Sequence, residues 1–199
     1  RSGLMLSDGY HDVPLGKVAS VVTHLEMKSP ASLRGARLPV GLAFERYAPS
    51  VDDYRDLFRR IGRNWLWFGR LTLPDKELSA ILSNEGTHLY ALSENGRSEG
   101  LLELDFRTEQ QCELAYFGVT HALIGRGAGA YLMDRAIELA WDRDITRFHV
   151  HTCTLDSPKA LDFYIRSGFR PYKRQIEVAD DPRRIGFYDE GAAPHVPLL

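Results

Sequence analysis

The sequence predicts an α/β domain, a mixed and mostly antiparallel sheet flanked by helices, and three observations carry that reading. "THLYALSENGRSEGLLELDF" (87–106) alternates as two strands around Asn95-Gly96, a two-residue hairpin signal, and "CELAYFGVT" (112–120) adds a third strand to the meander. "LIGRGAGAYLMDRAIELA" (123–140) then opens on glycines and turns apolar at helical spacing. Finally "TRFHVHTCT" (146–154), "SPKALDFYIRSGF" (157–169) and "RPYKRQIEVA" (170–179) read as strand, helix and strand. A chain of 199 residues suits one domain.

The remaining elements follow from the same signals. "KVASVVTHLEM" (17–27) and "VGLAFERY" (40–47) read as strands, and the Pro/Gly/Ser-bearing loop between them suggests a hairpin-like addition over residues 1–39. From Ser50, a candidate N-cap followed by acids, Tyr54, Leu57, Phe58 and Ile61 recur at helical spacing. "LPDKELSAILSN" (73–84) is a second short helix, with Leu78, Ile81 and Leu82 on one face. In the last helix Ser157 is expected at the N-cap, Pro158 at the first helical position and Gly168 at the end. The domain proper is expected over 40–180, with an irregular Pro/Gly-rich tail over 181–199.

Composition excludes several classes of function. A net charge of −2 gives no electrostatic case for nucleic acid. No run approaches the roughly 18 apolar residues of a membrane span, and no leader pattern is visible, so a cytoplasmic protein is expected. Two cysteines, Cys112 and Cys153, are too few for a disulfide framework and read as reduced core residues. "HVHTC" places His149, His151 and Cys153 on one strand face. That pattern admits a metal site or a Cys–His pair, but no partner motif accompanies it, so burial in the core is expected and no metal.

A strand, a glycine run and a helix start together present free backbone N–H groups and a positive dipole end to an anion. No Gly-Lys-Ser/Thr follows, which excludes a P-loop. Gly125, Gly127 and Ala130 formally meet the dinucleotide pattern, but the preceding meander is not the parallel arrangement that pattern requires.

"ELAYFGVTHALIGRGAGAYLMDRA" resembles the central motif of the GNAT acetyltransferases, with Gly127 and Gly129 on the two glycine positions. "SPKALDFYIRSGF" is similar to a second family motif, with Ala160, Tyr164, Gly168 and Phe169 in register. Ile124 stands where the family usually has Gln or Arg, and Ser157 where Asn is usual. The resemblance covers about 86–178 and is topological before that.

This resemblance implies a splayed strand pair that binds acyl-CoA, with acetyl-CoA as co-substrate. Phe117, Gly118 and Val119 would meet the pantetheine arm through backbone. Ile124, Gly125, Arg126, Gly127, Ala128, Gly129 and Ala130 would cradle the pyrophosphate. Ser157, Ala160 and Tyr164 would complete the cofactor side. Glu113 is the candidate base, with a surface carboxylate as the alternative, and Tyr164 the candidate acid, with a packed aromatic as the alternative. Trp65, Trp67, Phe68 and Arg70 would line the acceptor pocket, the arginine suiting a carboxylate-bearing substrate; tryptophans that simply fill the core are the other reading. The implied reaction is direct transfer of acetyl to a small-molecule or peptide amine by a monomer or homodimer. A non-catalytic acyl-CoA sensor is the alternative.

Overall fold

The computed structural model describes residues 6–199, so the first five residues of the predicted extension lie outside the described part. Seven strands form one sheet: β1 (Lys17–Met27), β2 (Leu42–Arg46), β3 (Thr87–Glu94), β4 (Arg97–Asp105), β5 (Gln111–Val119), β6 (Arg147–Cys153) and β7 (Arg170–Asp180). Four helices accompany it: α1 (Val51–Gly62), α2 (Asp75–Leu82), α3 (Ala128–Trp141) and α4 (Ala160–Arg166). The strand order is β2-β3-β4-β5-β6-β1-β7, and every neighbouring pair is antiparallel except β5 and β6. No described helix is long and apolar enough to cross a membrane.

The predicted mixed sheet is therefore present, but β1 is not a hairpin partner of β2. It lies at the far side of the sheet, between β6 and β7, with Val22 opposite Cys153 and also opposite Gln175. The reason is in its pattern, whose buried residues change face along the strand: Val18 joins the core under α1, while Leu25 and Met27 join the core under α3. A strand that contributes to both cores is held inside the sheet, with β6 on one edge and β7 on the other. The loop over 28–41 returns across α3, where the buried Asp134 carboxylate accepts from the amides of Arg34 and Ala36.

Two cores sandwich the sheet. Leu132, Met133, Ala136, Ile137 and Ala140 of α3 pack with Phe148, Tyr164 and Phe169 on one face. On the other, Tyr54, Leu57, Phe58 and Ile61 of α1 pack with Leu78 of α2 and Leu89 and Leu101 of the sheet. Ser50 caps α1 as its sequence predicts, accepting from the Asp53 amide. After α1 the chain makes a short 3-10 turn (Arg63–Trp65) instead of continuing the helix.

Two predicted details change. Ser157 and Pro158 do not begin α4. The Ala160 amide bonds to the Ser157 carbonyl in a tight turn, and regular helix starts only at Ala160. The tail beyond Asp180 has neither helix nor strand, yet it is packed. Arg183 is buried against Asp181 and donates to the carbonyls of Ala192 and Val196, while Tyr188, Ala192 and Ala193 join the α1 core.

Candidate active site

The parallel pair β5–β6 holds only at its start, where Gln111, Cys112 and Glu113 stand opposite Arg147, Phe148 and His149. Beyond that the strands part. Residues 114–119 keep β4 on one side and have no strand on the other. A bulge helps: Glu103 pairs with Tyr116 but Leu104 with Leu114, so Ala115 is the extra residue that bends β5 away. Into the gap opens a cavity of about 520 Å³, walled by residues 114–119 of β5, Val150, His151 and Cys153 of β6, and the chain that leads into α3.

That chain is the glycine run. Gly127, at φ 82°, is the residue before α3, a left-handed conformation that glycine adopts without strain. A Cβ added at Gly125, Gly127 or Gly129 would meet nothing within 4 Å, so the space above the backbone is open. The amides of Ala128, Gly129 and Ala130 lie in the first turn of α3, where no intrahelical acceptor exists and the dipole is positive. Of the predicted cradle, Ile124, Gly125, Gly127, Ala128 and Gly129 lie on the cavity wall. The Arg126 side chain is drawn off by Glu94 at 2.8 Å, and Ala130 is not on the wall. Ser157, Ala160 and Tyr164 are on it, joined by two cations, Lys159 and Arg166.

The Tyr164 phenol is largely buried, and burial raises its pKa well above the usual phenol range. Its ring packs edge-on to Phe117 and Phe169. Phe117, Gly118 and Val119 form the facing wall. Gly118 is required by packing, since a Cβ there would lie 2.6 Å from Ile61 Cγ2.

Glu113 is not itself on the cavity wall. It lies one side chain away: its Oε1 is 3.6 Å from Nδ1 of His151, which is on the wall and half exposed. The contact lowers the Glu113 pKa and raises that of His151. His149, beside Glu113 in the parallel register, has its pKa lowered by burial. The expectation that "HVHTC" is simply buried is thus corrected for His151, which the splay leaves uncovered. Cys153 is partly buried, free, and on the wall; burial raises its thiol pKa. Among the described residues no group of three or more His, Cys, Asp or Glu is placed to hold a metal ion.

Trp65, Trp67 and Phe68 wall the other end of the cavity. Leu66 between the tryptophans is left-handed (φ 51°, ψ 43°), an uncommon conformation for a γ-branched residue, held by its own burial in the α1 core. Trp67 donates through Nε1 to Asp156 and its carbonyl accepts from the Tyr188 hydroxyl at 2.7 Å, so the turn after β6 and the tail both fix it. The Trp65 ring lies tilted, 6.0 Å from that of His195, and Arg63 pairs with Asp189, two further tail contacts. Arg70 does not reach the wall. Its guanidinium is 2.5 Å from fully buried Glu103, which also accepts from the Tyr54 hydroxyl. Burial opposes the arginine's charge, but the Glu103 carboxylate outweighs it and raises its pKa.

Asp156, which lines the cavity and binds Trp67, Thr152 and the Cys153 amide, had no signal in the sequence. Its indole partner is 89 residues away. Lys159 had one: it sits inside the motif that carries Ala160 and Tyr164.

Comparison with known proteins agrees with this geometry. The Acetyltransferase (GNAT) family profile matches residues 51–169. No curated protein matches the sequence. Among solved structures, a GCN5-related N-acetyltransferase from Sphaerobacter thermophilus is 16% identical with a TM-score of 0.62, covering 86% of this chain and 53% of its own. A conserved protein of unknown function from Staphylococcus epidermidis is 13% identical with a TM-score of 0.58, covering 83% and 63%. An aminoglycoside acetyltransferase from a soil metagenome is 18% identical with a TM-score of 0.52, covering 64% and 87%. The chain therefore spans between half and two thirds of the length of the first two. Identities this low establish likeness of fold, and the family match over more than half of the chain establishes kinship: the chain belongs to the GNAT family of acetyltransferases.

Proposed function

We propose that this protein transfers an acetyl group from acetyl-CoA directly to a primary amine. The observation that carries the proposal is the cavity at the β5–β6 splay, where an unpaired strand edge, a glycine-led helix start and the Tyr164 phenol meet. The residues fit the co-substrate. The unpaired edge of residues 117–119 offers backbone groups to an amide-bearing arm. The amides at the start of α3, with Lys159 and Arg166 nearby on the wall, suit a pyrophosphate. When bound, acetyl-CoA supplies an acyl group activated as a thioester.

The chain's own groups handle the protons. His151 holds Nδ1 against Glu113, leaving Nε2 as the ring nitrogen to take a proton from the acceptor ammonium. The amine nitrogen then bonds to the acetyl carbon as the carbon–sulfur bond breaks. Tyr164, kept protonated by burial, gives its proton to the departing sulfur and is reprotonated as the new amide nitrogen loses its second proton. Glu113 acts here as a positioning residue.

Two measurements check this reading. Gly129→Glu should abolish the thermal stabilisation given by acetyl-CoA while the wild type gains stability by mass action. Gly129 serves better than Gly127, because its backbone is not left-handed and a Cβ there meets open space, so the charged side chain is added without backbone strain. Equal shifts in both proteins would place the co-substrate elsewhere. The second is a pH profile. With His151 as base, activity falls as pH drops through its raised pKa, so Glu113→Gln, which removes the cause of the raise, should move the acidic limb of kcat/KM to lower pH. Loss of activity at every pH, with no shift of the limb, would make Glu113 itself the base.

A further inference from the structure

We infer that the acceptor is a small amine carrying a second cationic group and no carboxylate, with Glu177 as its specificity residue. This rests on the transfer reading above and goes beyond it to the class of acceptor. The cation that the sequence offers to a substrate carboxylate, Arg70, is committed to buried Glu103 and lies off the cavity wall. The two cations that do reach the wall, Lys159 and Arg166, belong to α4 and the turn before it, on the opposite face of the sheet from Trp65 and Trp67. Lys173 shares a strand with Glu177 but does not reach the wall. Among the described residues, no lysine or arginine of the wall thus lies at the acceptor end.

It does hold negative charge. Glu177 of β7 lies on the wall with an exposed side chain and has no ion-pair or hydrogen-bond partner among the described residues. It lines the same cavity as His151, the proposed base. Asp156, the other wall carboxylate, is already occupied by Trp67, Thr152 and the Cys153 amide. Tyr116, half-buried on the same wall with its ring 5.4 Å from that of Trp67, makes no side-chain hydrogen bond among the described residues and adds a neutral oxygen that an ammonium can use. An aromatic wall accepts methylene groups and the faces of cations, and an unpaired carboxylate at its rim accepts a charge. A carboxylate on the acceptor would instead face Glu177 with no lysine or arginine to compensate it, a like-charge arrangement that disfavours binding.

Matched amines test this with the full chain and acetyl-CoA, following release of free thiol. Cadaverine should exceed lysine, and agmatine exceed arginine, by at least tenfold in kcat/KM, since each pair differs only by a carboxylate. Cadaverine should also exceed pentylamine, which lacks the second cation. Glu177→Gln should raise KM for cadaverine by about tenfold, leave kcat within about threefold and leave pentylamine nearly unchanged. Lysine used as well as cadaverine, or a Glu177→Gln protein indistinguishable from wild type on cadaverine, would overturn the inference and leave the transfer reading standing. No transfer to any of the five, with acetyl-CoA still stabilising the protein, would overturn both.

Discussion

Glu103→Gln is expected to destabilise the fold by about 3–5 kcal/mol, the range for breaking one side of a buried ion pair. Glu103 is fully buried, and both of its oxygens are used, one by Arg70 and one by the Tyr54 hydroxyl. Removing its charge leaves the guanidinium uncompensated in the α1 core, where its Nε already lacks a partner. Glutamine can still accept from Tyr54, so the loss reports the charge rather than the shape. Urea unfolding measures it, and the companion variant Arg70→Met/Glu103→Leu, which replaces the pair by apolar groups, should recover most of the loss. A loss below about 1 kcal/mol for the single variant would mean that water or another anion reaches Arg70. Because Arg70 follows Trp65, Trp67 and Phe68 by a few residues, the same lesion should loosen the aromatic end of the cavity.

Tyr164→Phe should lower kcat by roughly tenfold to a thousandfold, while acetyl-CoA affinity stays within about threefold. The ring keeps its edge-on contacts with Phe117 and Phe169, so a large loss cannot come from a cavity in the core. Coenzyme A thiolate is a tolerable leaving group, which keeps the expected loss below that of an essential nucleophile. Pre-steady-state measurement separates the transfer step from product release. A transfer step unaffected by the substitution would leave Tyr164 as a packed aromatic and return the proton donor to solvent.

What could be read from the sequence was what is local. The Asn95-Gly96 turn, the Ser50 cap, the glycine run that leads into α3 and the Ala160–Tyr164–Gly168 spacing are each set within a few residues, and each is where the sequence puts it. Partnerships across the chain left no comparable trace. A glutamate inside "LLELDF" does not announce that its partner lies 33 residues earlier, so Arg70 read as free when it is neutralised. His151 and Glu113 meet only because β5 and β6 run parallel for three residues before they part. Burial of "HVHTC" was the reasonable expectation for an apolar strand, and the splay, a feature of two strands together, is what uncovers His151. The hairpin expected for β1 fails for the same reason: nearness in sequence suggests β2, whereas the strand supplies residues to both cores and lies between β6 and β7.

The position of β1 also governs how the molecule is made. Lys17 and Asp180 close one end of the β1–β7 ladder across 163 residues. At synthesis rates of about 5–20 residues per second, β1 waits roughly 8 to 30 s for the strand that seals it. During that interval the nascent chain carries an apolar ribbon with two open edges, the kind of segment that pairs with neighbouring polypeptides. The meander from β2 to β5 uses contacts close in sequence and can assemble while the ribosome is still at work. The half of the sheet that holds His151 and Glu177 waits for β7, whose one partner in the sheet is β1. Glu177 therefore takes its place beside the splay only after the seam between β1 and β7 has closed.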